Sequence, residues 1–181
     1  MATIILLLRG VTPSGKNAVS MSRLRTALGE SGFSRVRTVI QSGNILVDTD
    51  IPPRTVGKMV HNLIQSRLGP DLTVIARTGP DLEEALENNP FGSGHDISRV
   101  FFISFADPPP EEKVRELAGG DYAPEKLAFG RQTAYLYIPG PYGKGTLSNN
   151  FLEKKLGVRS TMRNFNTLRR LVAMSREPYT P

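Results

Sequence analysis

The sequence predicts an α+β fold in which a ferredoxin-like β-α-β-β-α-β half, residues 1–77, precedes a looser α/β half, residues 78–181. Three patterns in the first half predict this order. Unbroken apolar runs are typical of strands, a turn signal separates two of those runs, and apolar residues at helical spacing connect the others. Because the second half repeats several of these patterns, we also expect a structural duplication.

The first half contains four expected strands and two expected helices. Ser20 is a suitable N-cap for the first helix, and Gly32 is placed to end it. The second helix follows Pro52 and ends before Gly69. Ser42-Gly43 predicts a tight two-residue hairpin between the second and third strands. The expected strands cover residues 3–8, 36–41, 44–48 and 72–76.

The second half reads as α-β-α-β-β-α-α. Residues 100–105, 126–129 and 133–138 are the expected strands, and Gly130-Arg131 is the expected turn between the last two. Pro80 opens an acidic helix, and another helix follows the proline run at 108–110. Two further helices complete the chain, and Asn164 is the expected N-cap of the last one.

Composition limits the chemistry of the 181-residue chain. It contains no cysteine, which excludes disulfides, thiolate metal sites and cysteine nucleophiles. No apolar run is long enough to cross a membrane, and the first one lacks the basic leader of a signal peptide. We therefore expect a cytoplasmic protein that does not associate with membranes.

The charged residues are unevenly distributed. Residues 1–77 carry ten Lys or Arg and four acids, residues 78–143 carry five and eleven, and residues 144–181 carry eight and two. This basic–acidic–basic pattern fits an anionic partner. It fits equally well a basic half that packs against an acidic one.

The loop after the first strand resembles a phosphate-binding loop. Gly10 to Lys16 has the spacing G-x-x-x-x-G-K, but Asn17 occupies the position where a hydroxyl would hold Mg²⁺. The helix is expected to begin only at Ser20, and residues 44–48 belong to an antiparallel hairpin rather than a parallel sheet. The pattern therefore favours a glycine-rich connection over a nucleotide hydrolase.

Two further polar clusters complete a candidate site for an anionic ligand. One is Gln41 to Asn44, for which turn chemistry is the simpler interpretation. The other is Arg163 to Thr167 with two more arginines, for which helix capping and a solvated basic face are alternatives. The predicted ligand-binding residues are Arg9, Lys16, Asn17, Gln41, Asn44, Arg163 and Asn166.

No catalytic constellation is evident. The chain has two histidines, His61 and His95, and neither has a metal-ligating neighbour at helical spacing. No metal or cofactor is predicted, and catalytic residues are left unassigned. Residues 152–171 invite comparison with a DNA-binding helix-turn-helix, but the spacing after Gly157 and the presence of Glu153 both depart from that motif.

Several motifs together resemble the bacterial family called domain of unknown function 1697. They include Leu7 to Gly10, Gly15 to Asn17, Ile40 to Asn44, Asn89-Pro90-Phe91, Leu136 to Pro139, Leu152-Glu153-Lys154 and Arg163-Asn164. The resemblance implies a compact α+β protein with ferredoxin-like halves and implies no activity. Gly145-Thr146 and Phe165 depart from the usual Ser-Lys and Trp of the family.

Three functional hypotheses follow from the sequence. The first is a binding domain for a small anionic or phosphorylated ligand. The second is an enzyme that acts on a phosphorylated small molecule and uses the glycine loop as a cradle. The third is a nucleic-acid-binding module that uses the basic C-terminal helices. Whether the protein is an enzyme, and its oligomeric state, are open at this point.

Overall fold

A computed structural model describes residues 1–40 and 43–178 and shows an α+β fold. The described residues contain two four-stranded antiparallel sheets. The chain divides into two compact units, one formed by Met1–Leu82 with the C-terminal residues from Leu171, the other by Glu83–Arg170. The α+β prediction is confirmed, whereas the division into halves at residues 77 and 78 stays a prediction.

The first sheet has the strand order β2-β3-β1-β4. Its elements follow one another as β-α-β-β-α-β, the order expected from the sequence, and the ferredoxin-like comparison stays a prediction. A helix, α3, follows the last strand. The bounds are β1 (Ala2–Leu8), α1 (Met21–Glu30), β2 (Ser34–Val39), β3 (Asn44–Thr49), α2 (Pro53–Leu68), β4 (Val74–Thr78) and α3 (Gly79–Glu87).

Helices α1 and α2 pack on one face of the first sheet. Ile4, Leu6 and Leu8 alternate along β1 and point to this face, where they are almost completely buried. Helix α1 begins as predicted, because the Ser20 side chain accepts a hydrogen bond from the backbone N–H of Arg23 at 3.3 Å. The apolar residues of the two helices that complete this core include Leu24, Leu28, Val56, Val60 and Ile64.

The connection between β2 and β3 differs from the prediction. Val39 is the last residue of β2 and pairs with Asn44, whereas a two-residue turn at Ser42-Gly43 would pair residue 41 with Asn44. Gln41 and Ser42 lie outside the described residues. Ile40 has φ 50° and is 52% exposed. This φ is incompatible with an extended strand, so β2 does not continue through Ile40, and the left-handed conformation is strained for a β-branched residue.

The second sheet has the strand order β6-β7-β5-β8. One apolar cluster covers one face of this sheet, where Ile103, Leu136 and Leu152 have no exposed surface. A short 3-10 turn, Ile97–Arg99, leads into the first strand of this sheet. The bounds are β5 (Val100–Phe105), α4 (Glu111–Ala118), β6 (Lys126–Phe129), β7 (Thr133–Tyr137), α5 (Asn149–Leu156), β8 (Ser160–Asn164) and α6 (Phe165–Ser175).

Strand β8 was not predicted. Its sequence, Ser-Thr-Met-Arg-Asn, contains one apolar residue and no alternation that would indicate a strand. Tertiary contacts hold it instead: β8 pairs with β5, and Ser160 donates hydrogen bonds from Oγ to Asn149 Oδ1 and from N to Glu153 Oε1, both at 2.9 Å. A strand therefore separates α5 from α6, and this segment does not form a helix-turn-helix.

With β8 included, the second sheet repeats the first. Reading β5 to β8 as the equivalents of β1 to β4 makes the two strand orders identical, and one helix follows the last strand in each case. The pairing register also corresponds, because Ile5 lies between Leu46 and Arg77 as Phe102 lies between Tyr135 and Arg163. This correspondence supports the duplication expected from the sequence, and the looser character of the second half stays a prediction.

A groove beside the first helix

The β1–α1 loop, residues 9–20, contains three of the predicted site residues. Arg9 is half-buried where β1 ends, and its backbone N–H donates to the Thr73 carbonyl at 2.9 Å. Lys16 is exposed and Asn17 is half-buried. Thr12 forms a bridge with Ala18, so the loop folds back on itself before the helix begins. Helix α1 starts five residues after Lys16, and the lysine therefore does not stand at the helix end as it would in a phosphate-binding loop.

An open groove of about 700 Å³ lies between this loop, the start of α1 and the end of β2. The volume is in the range of small-molecule sites, roughly 300–1,000 Å³. The described residues that line the groove include hydroxyls and one guanidinium and no acid. Those that bear on binding are Pro13, Ser20, Ser22, Arg25, Thr38 and Ile40.

The cationic group of the groove is held in place by a hydrogen bond. Arg25 Nη1 donates to Thr38 Oγ1 at 3.1 Å, which joins α1 to β2 across the groove. The guanidinium has further N–H donors for a ligand, since an arginine side chain has five. The first turn of α1 has no acidic residue, so the partial positive charge of the helix N-terminus is not neutralised by its own side chains.

Two predicted residues of the first unit remain, and Asn44, the one that the structure describes, has a structural role. Asn44 has no exposed surface, and its Nδ2 donates to the Val39 carbonyl at 3.1 Å, closing the β2–β3 hairpin. Gln41 lies outside the described residues. The turn chemistry that the sequence favoured for this cluster is therefore present at Asn44, and a ligand contact from either residue stays a prediction.

Arg163 and Asn166 belong to the second unit. Arg163 Nη1 donates to Thr161 Oγ1 and to the Met162 carbonyl, both at 2.8 Å, so the guanidinium is held along its own strand. Asn166 is exposed in the first turn of α6. Asn164 Oδ1 accepts from the Thr167 backbone N–H at 2.9 Å, as its predicted capping role requires. The joint site of seven residues stays a prediction.

Sequence reasoning missed Arg77, the counterpart of Arg163 in the first sheet. Its Nη1 donates to the carbonyl of the preceding residue, Ala76, at 2.9 Å, as Arg163 does to Met162. Burial lowers the pKa of Arg77 from its ordinary value, and the nearby Asp81 carboxylate partly offsets this. The sequence did contain a signal for the equivalence of Arg77 and Arg163, because each arginine directly precedes the N-cap residue of a helix.

Arg25 and Thr38 were also missed, and the sequence contains no signal for them. Arg25 is one of several polar residues on the exposed side of α1, and Thr38 is a polar residue within a strand. Only the packing of α1 beside β2 brings them together.

Residues 1–40 and 43–178 contain no group of three or more His, Asp or Glu that could hold a metal ion. None of the helices in this described part could cross a membrane.

The fold and the groove together define an α+β protein with a polar, cationic groove in its first unit. Residues 1–135 match the family described as protein of unknown function (DUF1697). This match covers more than half of the chain, and the chain belongs to that family. The resemblance seen in the sequence motifs is thereby confirmed.

A solved structure shares the fold along nearly the whole chain. It is described as the structure of conserved bacterial protein SP0830 from Streptococcus pneumoniae. The TM-score is 0.72 at 24% sequence identity, over 98% of this chain and 99% of that chain. At this identity the similarity shows the fold alone. No curated protein matches the sequence.

Proposed function

We propose that the protein binds a small anionic ligand, of the phosphorylated class, in the groove beside α1. The observation that carries the proposal is the set of groups lining that groove: serine and threonine hydroxyls and a positioned guanidinium, with no acid among the described lining residues. Such groups recognise phosphate by charge-assisted hydrogen bonds. The groove thus combines a suitable volume with suitable chemistry.

The surrounding elements strengthen the positive potential at the groove. Lys16 is exposed on the loop segment between Pro13 and Ala18, two residues that line the groove. Its flexible ammonium can reach a ligand as a mobile point charge, while Arg25 supplies fixed geometry. The N-terminal end of α1 adds a partial positive charge that no acid in its first turn offsets.

Of the seven residues predicted from the sequence, the proposal relies mainly on Lys16. Arg9 and Asn17 share its loop but are not among the described residues that line the groove, so a ligand contact from either stays a prediction. Asn44 is not used as a contact, because its side chain is fully buried in the hairpin. Arg163 and Asn166 are not needed for binding in this groove, and Gln41 lies outside the described residues.

Binding is favoured over the two alternative functions. The described lining residues include no imidazole or carboxylate that could act as a general acid or base on a phosphorylated substrate. The nucleic-acid alternative is not supported by a helix-turn-helix motif, since β8 separates α5 from α6.

A cytoplasmic location is part of the proposal and rests on the absence of cysteine. Fractionation of cells that produce the protein tests it, and recovery outside the cytoplasmic fraction would refute this part.

Thermal melting with simple phosphates tests the binding proposal. The probes are inorganic phosphate, pyrophosphate and a nucleoside monophosphate. A probe present at a hundred times its Kd stabilises the folded state by about 2.7 kcal/mol, which raises Tm by several degrees. Arg25→Ala removes the positioned guanidinium and is expected to weaken binding by about tenfold, and Lys16→Ala by a smaller factor.

Arg23→Ala is the matched control. Arg23 is an exposed arginine on the same helix, two residues from Arg25, and does not line the groove. Residues two positions apart point to opposite sides of a helix, so this variant removes the same charge from the same turn but not from the groove, and wild-type affinity is expected. The proposal is wrong if none of the three probes raises Tm, or if Arg23→Ala and Arg25→Ala weaken binding equally.

A further inference from the structure

A lysine and a histidine make direct contact at an edge strand of the second sheet. Lys126 begins the strand β6 and is exposed, and its Nζ lies 3.1 Å from His95 Nε2. The two residues are 31 positions apart in the sequence, so the fold alone brings them together. Both belong to the second unit, and neither takes part in the groove beside α1.

The hydrogen bonds of the imidazole define its tautomer. His95 Nδ1 lies 3.0 Å from the Ser93 carbonyl oxygen, which can only accept, so Nδ1 carries the proton. In the neutral ring, Nε2 then holds a lone pair, and this lone pair faces Lys126 Nζ. The nitrogen that faces the lysine is therefore a proton acceptor.

Two aromatic rings fix the orientation of the imidazole. His95 meets Tyr137 edge-on, with ring centroids 4.7 Å apart, and meets Phe91 in a similar way at 5.3 Å. Tyr137 is also the cross-strand neighbour of Lys126 in the β6–β7 register. The sheet thus places the lysine next to the residue that supports the histidine, so the contact between them is pre-organised.

We propose that Lys126 is an acylation site, with His95 as its general base and an acyl phosphate as the acyl donor. Lys126 reacts as the free amine after losing one ammonium proton to water. Nζ attacks the carbonyl carbon and forms the new N–C bond, while His95 Nε2 takes one proton from the attacking nitrogen. The bond between the carbonyl carbon and the bridging oxygen breaks, and phosphate leaves with that oxygen and the bonding electron pair.

The product keeps the local structure and changes its charge. The acylated nitrogen retains one N–H, which can still donate to Nε2 when His95 has returned its proton to water. The positive charge of Lys126 is lost, because an amide does not ionise. Acylation therefore changes the charge at the start of β6 without requiring the imidazole to move.

The experiment treats the full-length chain with acetyl phosphate and follows acetylation of each lysine by mass spectrometry. Lys58 is the internal reference, since it is an exposed lysine on α2 in the other unit. General bases contribute 10²–10⁴-fold in enzyme active sites, and at this open surface we expect Lys126 to react about tenfold faster than Lys58.

His95→Gln separates a catalytic role from a structural one. The glutamine carbonyl can accept the hydrogen bond from Lys126, but it cannot take up a proton. Acetylation of Lys126 in this variant is expected to fall to about the rate of Lys58, while Lys58 itself is unchanged, and a wild-type Tm for the variant reports that the fold is intact. Equal rates at Lys126 and Lys58 in the wild type, or an unchanged Lys126 rate in His95→Gln, would overturn the proposal.

Discussion

The two sheets share one topology, but their first β-α connections are unlike. In the first unit this connection has twelve residues, 9–20, and leads into a helix with a serine cap and no acid in its first turn. In the second unit it has five residues, 106–110, three of them proline, and the helix opens with Glu111 and Glu112. The same framework can therefore present either an anion-attracting or an anion-repelling helix end.

The adjacent strand shows the same contrast. Thr38 pairs with Ile45 in the first sheet, and the residue in the equivalent position of the second sheet is Phe129, which pairs with Ala134. Thr38 binds Arg25 at the groove, whereas Phe129 packs against the apolar core of its own unit. The same strand position thus supports a polar groove in the first unit and apolar packing in the second. The two units therefore differ both in the first β-α connection and in the strand beside it.

The largest effect is expected at the hairpin that lies beside the glycine loop. Gly43 has φ 79°, and a Cβ there would lie 2.7 Å from Leu8 Cβ and 2.9 Å from Val11 Cγ2. Gly43→Ala combines left-handed strain with overpacking, so we expect the free energy of unfolding to fall by about 3 kcal/mol. Chemical denaturation followed by circular dichroism measures this change.

Gly130 in the second hairpin is the matched comparison. Its φ is not in the left-handed region, and the nearest atoms to an added Cβ are those of the Tyr135 ring at 3.1 Å. Gly130→Ala is expected to destabilise by only about 1 kcal/mol, because the contact is less severe than at Gly43 and no left-handed strain is added. A larger loss for Gly130→Ala than for Gly43→Ala would show that we have misjudged which hairpin is the more constrained.

Intermediate effects are expected at the serine caps. Ser20→Ala removes the acceptor for the Arg23 N–H and should lower the free energy of unfolding by about 1 kcal/mol. Ser148→Ala removes the equivalent bond to the Phe151 N–H, 3.1 Å long, at a similar cost. Only Ser20 lines the groove, so pyrophosphate affinity should be unchanged in Ser148→Ala. Weaker binding in Ser148→Ala would place the anion site elsewhere.

The elements that could be predicted from sequence are those whose own residues dictate them. The cap at Ser20, the apolar run of β1 and the strand at 100–105 depend on local chemistry, and the structure has all three. Strand β8 could not be predicted, because its order comes from pairing with β5 and from Asn149 and Glu153. Long-range contacts overrode a sequence with little strand character.

The candidate site shows the same division between local and long-range information. Lys16 was identifiable because a glycine loop after an apolar strand is a local pattern. Arg25 with Thr38, and His95 with Lys126, are pairs that meet only through sheet and helix packing. Asn44 was chosen for a polar character that the structure uses inside a hairpin. Residue type alone did not distinguish an amide that closes a turn from one that faces a ligand.

The smallest change in stability, and the sharpest test of the contrast between units, comes from exchanging their helix-end charges. Ser22→Glu places an acid in the first turn of α1, as Glu112 stands in α4. A negative charge at a helix N-terminus is favourable, so Ser22→Glu should raise the free energy of unfolding by about 0.5 kcal/mol. The same charge repels an anion in the groove that Ser22 lines, and pyrophosphate affinity should fall by about tenfold.

Glu112→Gln is the reciprocal variant. Its free energy of unfolding is expected to fall by about 0.5 kcal/mol, and it should bind pyrophosphate as the wild type does. Because Ser22→Glu is expected to strengthen the fold while weakening binding, loss of affinity cannot be attributed to unfolding. Wild-type pyrophosphate affinity in Ser22→Glu would mean that the N-terminal end of α1 does not contribute to anion binding. The contrast between an anion-attracting helix end in the first unit and an anion-repelling one in the second would then be wrong.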